Sequence, residues 1–262
     1  MGLLELYHYY NTELADVRTN NWLFISSPIT IAVISFAYLY FVLRCGPRYM
    51  KDKPPYSCRT FIQFYNVFQI VTNYLIVYHI FEAGWYEDFF IYCVKPDYSF
   101  NPKPYKMSKI LWYTFVLKII DYIETGLFVL RKKNRQISFL HLYHHVSTVF
   151  LSWFYVKYFA LGMSLTIPLV NCSIHVIMYT YYLLSSIGPN IQAYLQPVKP
   201  IITIAQMVQF VALICYSTQV FLPSCQGYTP AGGVMIVNLI INFTLFYDFY
   251  KKTYNTKKSK SK

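Results

Sequence analysis

Residues 26–44 read SSPITIAVISFAYLYFVLR, a run whose one charged residue is Arg44 at its end. At about 1.5 Å of rise per residue, a helix of this length spans most of the roughly 30 Å hydrocarbon core of a bilayer. Comparable runs recur along the chain, and the sequence predicts an all-α integral membrane protein in which residues 1–262 form one membrane domain. The seven predicted transmembrane helices are 26–44, 61–82, 107–130, 139–158, 162–184, 200–222 and 231–250.

The composition agrees with a lipid environment. The 262 residues are 56% hydrophobic and 20% aromatic, and only 13% of them are charged. The formal net charge is +12, but helices this apolar leave no solvated basic face, so the charge does not indicate nucleic-acid binding. The first 22 residues contain no basic segment followed by an apolar one, so no cleaved signal peptide is predicted.

The distribution of Lys and Arg predicts the orientation in the membrane. If the N-terminus is lumenal, the cytosolic segments are 44–60, 131–138, 185–199 and the tail after residue 250. These segments contain 16 of the 23 basic residues, and the acidic residues show the opposite bias. We therefore expect a multi-pass protein with a lumenal N-terminus and a cytosolic C-terminus.

Two features bear on the cellular compartment. The polar tail 251–262 is predicted to be disordered, and its Lys258 and Lys260 form a Lys-x-Lys-x-x pattern that resembles the retrieval signal of endoplasmic-reticulum membrane proteins. Cys93 and Cys225 fall in predicted lumenal loops, where a disulfide is permitted, although two free thiols fit the spacing equally well. No Cys-x-x-Cys spacing indicates a zinc site.

Polar side chains recur at one depth inside the third to sixth predicted spans. An ionisable group in hydrocarbon is costly, so each one is a candidate functional residue. At about 100° per residue these side chains fall on one face of each helix, roughly 3–14 Å from its cytosolic end. The four stripes are Lys118, Asp121, Glu124 and Thr125; His141, His144 and His145; Asn171, His175, Met178, Tyr179 and Tyr182; and Thr203, Gln206 and Gln209.

Two interpretations of these stripes are open. In the first, they face one another and line a buried polar chamber near the cytosolic leaflet. In the second, Lys118, Asp121 and Glu124 form a buried ion pair, and the amide side chains tie helices together by hydrogen bonds. The coincidence of four stripes at one depth favours the chamber.

The stretch HLYHH at 141–145 places three imidazoles on one helix face, at positions i, i+3 and i+4. One hypothesis is a metal site, although membrane di-iron oxygenases use about eight histidines and this chain has six. A second is nucleophilic catalysis, because a neutral imidazole can accept an acyl group and a carboxylate can orient its tautomer. A third is a receptor or transporter, which the clustering of polar groups near one leaflet and the absence of paired broken helices disfavour.

Four stretches, in order, resemble the sequence boxes of the very-long-chain fatty acid elongases, the condensing enzymes of the endoplasmic reticulum. They are KIIDYIETGLFVLRKK at 118–133, QISFLHLYHH at 136–145, NCSIHVIMYTYY at 171–182 and TIAQMVQF at 203–210. The chain departs from the family pattern in one box, which usually has Glu before Asp. Here Asp121 precedes Glu124, so both carboxylates persist with their lengths exchanged, and their individual roles stay open.

The resemblance implies a fold and a reaction. Six of the seven helices would surround a narrow acyl-chain tunnel that is closed at the lumenal end. Acyl-CoA and malonyl-CoA would be the substrates, with no metal and no other cofactor, and the product would be a 3-oxoacyl-CoA two carbons longer. His144 would accept the acyl group, and the carbanion formed by decarboxylation of malonyl-CoA would then attack the acyl-imidazole.

The resemblance also implies roles for the other residues. His141 and His145 would position groups and manage protons, Asp121 would hold an imidazole tautomer, and membrane lipid would surround the protein. A homo-oligomer and the other enzymes of the elongation cycle stay open as protein partners. Candidates to stabilise the enolate are His175, Asn171, Gln209 and Lys118. Candidates for further catalytic or substrate contacts are Glu124, Tyr179, Tyr182 and Gln206. The basic residues that would either meet CoA phosphates or serve only as positive-inside charges are Lys132, Lys133 and Arg135.

Overall fold

A computed structural model describes residues 2–88, 93–94, 96–223, 225 and 229–255. Within these residues the regular secondary structure is helical, and no β-strand occurs. The chain divides into two compact units, each assembled from two separate stretches. Unit 1 comprises Met1–Tyr56 and His79–Thr166, and unit 2 comprises Ser57–Tyr78 and Ile167–Lys262.

The helices follow one another with short connections. Short π-helical turns occupy Tyr9–Glu13, Phe41–Cys45 and Lys251–Asn255, and 3-10 turns occupy Asn134–Gln136, Gly162–Leu165 and Thr218–Phe221. The α-helices within the described ranges are α1 (Leu3–His8), α2 (Pro28–Tyr40), α3 (Gly46–Met50), α4 (Arg59–Glu82), α5 (Trp85–Asp88), α6 (Pro102–Ile120), α7 (Tyr122–Leu130), α8 (Phe139–Tyr158), α9 (Thr166–Ile187), α10 (Pro189–Tyr194), α11 (Val198–Ser217) and α12 (Thr229–Tyr250).

Four helical segments in the described part of the chain are long and apolar enough to cross a membrane, as expected of a multi-pass membrane protein. They overlap the predicted spans 26–44, 162–184, 200–222 and 231–250. The other three predicted spans coincide with α4, with α6 and α7 together, and with α8, and their crossing stays a prediction. The four segments are Pro28–Met50, Gly162–Ile187, Val198–Phe221 and Thr229–Tyr254.

The core of unit 1 forms where α6 packs along α8, with α2 also against α8 and α3 against α7. Two serine side chains explain where two of these helices begin. Ser27 Oγ accepts the backbone N–H of Ile29 at 3.2 Å, and Pro28 occupies the first turn of α2, where its missing N–H costs nothing. Ser138 Oγ accepts the backbone N–H of His141 at 3.2 Å and caps α8 in the same way.

The segment before α2 is anchored by a buried ion pair. Arg18 Nη2 lies 2.6 Å from Asp16 Oδ2, and both side chains are fully buried. Arg18 also donates to the carbonyl oxygens of Ala160 at 2.9 Å, Asp97 at 3.2 Å and Ser99 at 3.4 Å. The backbone N–H of Ser99 donates to the Asp97 carboxylate at 2.8 Å and holds the pKa of that carboxyl below its usual range.

The end of α8 is tied to the same segment. Lys157, whose side chain is buried, donates to Asn20 Oδ1 and, at 3.2 Å, to the carbonyl oxygen of Ser26. Thr19 Oγ1 donates to the carbonyl oxygen of Val156 at 2.7 Å. The two hydrogen bonds of Lys157 offset the cost of burying its ammonium group at the end of a predicted span.

In unit 2, α11 packs along α12, and the 3-10 turn Thr218–Phe221 leads out of α11. The Phe210 and Phe246 rings meet edge to face at 5.2 Å between centroids. Gly232 lets α12 approach this turn closely, because a Cβ there would lie 2.3 Å from Val220 Cγ2. Unit 2 also pairs α4 with α9, through Tyr65 and Tyr179 with ring centroids 6.0 Å apart.

The structure also distinguishes the cysteines. Cys93 and Cys225, whose state the sequence left open, are both disulfide-bonded. The retrieval-signal candidates Lys258 and Lys260 lie outside the described residues. Free thiols in the described part of the chain belong to Cys45, Cys58, Cys172 and Cys215.

Candidate active site

The histidine cluster lies in the first two turns of α8. The ring centroids of His141 and His145 are 4.2 Å apart, and those of His144 and His145 are 5.7 Å apart. His145 is buried, whereas His141 and His144 are half-buried. The predicted i, i+3, i+4 geometry therefore yields a compact set of imidazoles.

The carboxylate stripe begins with a buried ion pair. Lys118 Nζ lies 3.2 Å from Asp121 Oδ2, with side-chain exposures of 4% and 5%. Asp121 also marks a break in the predicted helix 107–130, since α6 ends at Ile120 and α7 begins at Tyr122. This contact is part of the buried ion pair that the second interpretation of the stripes predicted. Glu124 is half-buried in the first turn of α7.

Thr125 joins the carboxylate stripe to the histidine cluster. Its Oγ1 lies 2.8 Å from His141 Nε2 and 2.9 Å from the Tyr38 hydroxyl, and the side chain is fully buried. The sequence placed Thr125 on the right helix face but assigned it no role, and it did not single out Tyr38. Hydroxyls at Ser35 and Tyr38, three residues apart in an apolar span, were the available signal.

The fifth-span residues form a second cluster, in unit 2. Asn171 Nδ2 lies 3.4 Å from His175 Nε2, and the His175 and Tyr179 rings are 5.7 Å apart. His175 and Tyr179 are buried, but Tyr182 is exposed, 5.9 Å from Tyr179 between centroids. On α9 the predicted stripe thus runs from a half-buried amide, through buried His175, to an exposed aromatic ring.

The sixth-span residues belong to unit 2 as well. Gln206 Nε2 donates weakly to Met178 Sδ at 3.5 Å, which connects α11 with α9. Gln209 is buried, and its Oε1 has no hydrogen-bond partner among the described residues. A buried amide oxygen in this state is a site where water or a ligand group would be stabilised.

Sequence analysis missed a polar column on α4. The Tyr65 hydroxyl accepts Gln69 Nε2 at 2.9 Å, and Gln69 Oε1 accepts Asn73 Nδ2 at 3.0 Å. Gln69 and Asn73 are fully buried. With Asn66 they stand at i, i+3 and i+7 in the predicted span 61–82, a periodicity that would have revealed the column.

The predicted CoA-contact residues are on a connection between helices. Lys132, Lys133 and Arg135 are exposed in the segment between α7 and α8. Lys132 adopts a left-handed backbone conformation at φ 53°, and its Nζ donates to the carbonyl oxygen of Lys51 at 3.2 Å. Their charges are therefore accessible to a phosphate-bearing ligand or to solvent.

The described residues contain no group of three or more His, Cys, Asp and Glu side chains arranged to hold a metal ion. The predicted site residues are distributed over the two units: Lys118, Asp121, Glu124 and the HLYHH histidines belong to unit 1, and Asn171, His175, Tyr179, Tyr182, Gln206 and Gln209 belong to unit 2. Convergence of all four stripes on one chamber stays a prediction.

Comparison with known proteins gives a consistent result. A model of the GNS1/SUR4 family matches residues 23–262. A very long chain fatty acid elongase of Aedes aegypti is 34% identical over 98% of this chain and 72% of its own length. Very long chain fatty acid elongase 1 of Mus musculus is 34% identical over 97% of this chain and 91% of its own length, and very long chain fatty acid elongase 4 of Homo sapiens is 35% identical over 96% and 80%.

Proposed function

The chain belongs to the GNS1/SUR4 family, and from this premise we propose that it is a condensing enzyme of fatty acid elongation, an acyltransferase of the very-long-chain 3-oxoacyl-CoA synthase type. Its substrates are a long-chain acyl-CoA and malonyl-CoA, with no metal and no other cofactor. The products are a 3-oxoacyl-CoA two carbons longer, CO2 and CoA. The observation that carries the proposal is the compact imidazole cluster on α8 in a chain whose relatives are named as elongases.

The first half-reaction transfers the acyl group to the protein. An imidazole nitrogen of His144 attacks the thioester carbonyl, the C–S bond breaks, and CoA leaves with the proton that the imidazole gives up. Within the cluster, we assign the role of nucleophile to His144, the middle histidine of HLYHH. His145 is buried, and Nε2 of His141 is hydrogen-bonded to Thr125.

The second half-reaction forms the carbon–carbon bond. Malonyl-CoA loses CO2, and the electrons of the broken bond form an enolate that attacks the acyl-imidazole carbonyl. The C–N bond then breaks, and His144 is regenerated by taking up one proton from solvent as 3-oxoacyl-CoA departs. We assign stabilisation of the enolate to fixed donors among His175, Asn171 and Lys118, with Gln209 as a further candidate.

The carboxylates support the histidines. Asp121 balances the buried Lys118 ammonium, so this cation can remain buried without an uncompensated charge. Glu124 lies in the first turn of α7, four residues before Phe128, whose ring centroid is 5.3 Å from that of His141. We propose that Asp121 acts through charge balance and Glu124 through proton handling, which gives the exchanged pair separate tasks.

The setting of the reaction follows from the same premise. We propose that all seven predicted spans cross the membrane of the endoplasmic reticulum, that six of them enclose the acyl-chain tunnel, and that the exposed Lys132, Lys133 and Arg135 meet CoA phosphates on the cytosolic side. Tyr179, Tyr182 and Gln206 contact substrate. Protein partners are the other enzymes of the elongation cycle or a second copy of the chain.

The test uses microsomes containing the full chain, supplied with malonyl-CoA and saturated or unsaturated acyl-CoAs. We expect His144→Ala to lower 3-oxoacyl-CoA formation by at least about 100-fold, because the nucleophile is lost. His8→Ala, at the exposed last residue of α1, is the matched control and keeps parental activity.

Two outcomes would contradict the proposal. His144→Ala that elongates like the parent would remove the acyl-histidine step. Stoichiometric iron or zinc in the purified protein, with activity lost on chelation, would instead support a metal-dependent oxygenase. Measuring bound metal and malonyl-CoA turnover on one preparation separates these cases.

A further inference from the structure

A chain of hydroxyl groups runs across three helices of unit 1. The Tyr38 hydroxyl on α2 lies 2.9 Å from Thr125 Oγ1 on α7, and Thr125 Oγ1 lies 2.8 Å from His141 Nε2 on α8. Tyr38 and Thr125 are both buried. No step of the proposed reaction uses the Tyr38 hydroxyl, so the role of this group is open.

The direction of this chain follows from its burial. A buried O–H left without an acceptor is costly, and among the described residues Thr125 Oγ1 is the hydrogen-bonding partner of the Tyr38 hydroxyl. Tyr38 therefore donates to Thr125. The single proton of the Thr125 hydroxyl is then directed at His141 Nε2, which must accept it.

Acceptance at Nε2 determines the tautomer of His141. A neutral imidazole has one acceptor and one donor nitrogen, so its proton lies on Nδ1. This assignment comes from the hydrogen-bond network, as it does for histidines in general. Reversing the chain would turn the Tyr38 proton away from Thr125 and leave it without an acceptor among the described residues.

The start of the chain is held rigidly. The Tyr38 ring stacks on Tyr122 with centroids 3.9 Å apart and ring planes 5° from parallel. The Tyr122 hydroxyl is in turn 2.9 Å from Ser35 Oγ on the same face of α2 as Tyr38. Stacking on this tethered neighbour holds the Tyr38 ring in place, and with it the phenolic oxygen within hydrogen-bonding distance of Thr125 Oγ1.

We propose that Tyr38 is a positioning residue of the condensation reaction, because through Thr125 it holds His141 as the Nδ1–H tautomer. In this state His141 serves as a hydrogen-bond donor and not as a base or nucleophile, which separates its task from that of His144. The catalytic part of this inference rests on the proposed function, whereas the tautomer itself does not.

The decisive variant is Tyr38→Phe, which keeps the stacked ring and removes only the hydroxyl. We expect kcat to fall about 10-fold with KM nearly unchanged, since one buried hydrogen bond that orients a catalytic group is lost. Thr125→Ser keeps the relay and should retain most activity, whereas Thr125→Val breaks it. Tyr40→Phe is the control, because Tyr40 lies one half-turn further along α2 and is 49% exposed.

The second readout is 15N NMR of the purified chain with ring-labelled histidine, with the His141 signals assigned by their loss in His141→Gln. The parent should show a protonated Nδ1 at His141, and Tyr38→Phe should add the Nε2–H form. A merely structural role of Tyr38 would lower thermal stability without moving these signals.

Three results are discriminating. A parental His141 that carries its proton on Nε2 would overturn the inference, as would Tyr38→Phe that matches Tyr40→Phe in both kcat and spectrum. If the spectra behave as expected but His144→Ala keeps full activity, the proposed function fails while the tautomer assignment is supported.

Discussion

At the residue scale, the two buried ion pairs of unit 1 show how charges persist inside this protein. Lys118 and Asp121 pair at a separation of three residues, so their attraction is local. Arg18 instead directs its N–H groups at Asp16 and at backbone carbonyls distant in sequence, including that of Ala160. A charge removed from water is tolerated only when such partners replace its hydration.

The Arg18 site leads to a stability prediction. Arg18→Met should destabilise unit 1 by about 4 kcal/mol, because Asp16 would be left as an unpaired buried carboxylate. Arg18→Lys should rescue little, since an ammonium cannot reproduce the fork of donors. The measurement is the unfolding midpoint in detergent micelles, as a function of temperature or denaturant.

Lys252→Met supplies the comparison for this experiment. Lys252 pairs with Asp248 at 2.7 Å, but the side chains are 75% and 54% exposed. Solvent screens such a pair, so its loss should leave the midpoint unchanged. Equal midpoints for Arg18→Met and Lys252→Met would contradict the expected cost of leaving Asp16 unpaired.

At the element scale, the packing of α12 depends on a missing side chain. Gly232 faces Val220, and a Cβ at this position would overlap both Val220 methyl groups, at 2.3 and 2.8 Å. The neighbouring Gly233 has no atom within 4 Å of where its Cβ would lie. Close packing therefore requires glycine at position 232 but does not require it at position 233.

Alanine substitutions at these glycines should change stability differently. Gly232→Ala should destabilise by about 2 kcal/mol, because overpacking exceeds the gain of up to about 1 kcal/mol in helix propensity. Gly233→Ala should cause no loss. Thermal unfolding of both variants in one detergent tests the contrast, and a Gly232→Ala midpoint at or above the parental value would contradict it.

The break at Asp121 is a second feature of this scale. The backbone N–H of Glu124 bonds to the carbonyl oxygen of Asp121 at 3.2 Å, three residues back, so the ladder tightens where α6 passes into α7. The same turn places Thr125 Oγ1 within hydrogen-bonding distance of His141 Nε2. The break in the predicted helix thus lies next to the residues that connect it to the histidine cluster.

At the scale of the whole molecule, the number of crossings decides the sides of the termini. In the described residues, four helical segments are long and apolar enough to cross a membrane. Four crossings would leave both termini on the same side. Seven crossings would leave them on opposite sides. The basic tail 251–262 favours a cytosolic C-terminus.

Topology mapping distinguishes the two counts. A glycosylation acceptor added before residue 1 should be modified in microsomes, because seven crossings and a cytosolic tail put the N-terminus in the lumen. The same acceptor added after residue 262 should stay unmodified. Modification of both sites, or of neither, would indicate an even number of crossings and overturn the seven-span proposal.

The sequence by itself predicted the features that depend on local pattern. Apolar runs indicated an all-α membrane protein, and the i, i+3, i+4 spacing indicated that His141, His144 and His145 share a face, because helical periodicity is a property of neighbouring residues. The motif order also indicated the family to which the chain belongs.

Only the tertiary structure decided which of these side chains meet. That Thr125 contacts His141, that Tyr38 contacts Thr125, and that Arg18 reaches Ala160 depends on how helices rotate and cross, which no local pattern encodes. The Gln69 column on α4 could have been found from its spacing, but the sequence does not show what that face of α4 contacts. Periodicity selects the face of a helix, and packing selects what that face touches.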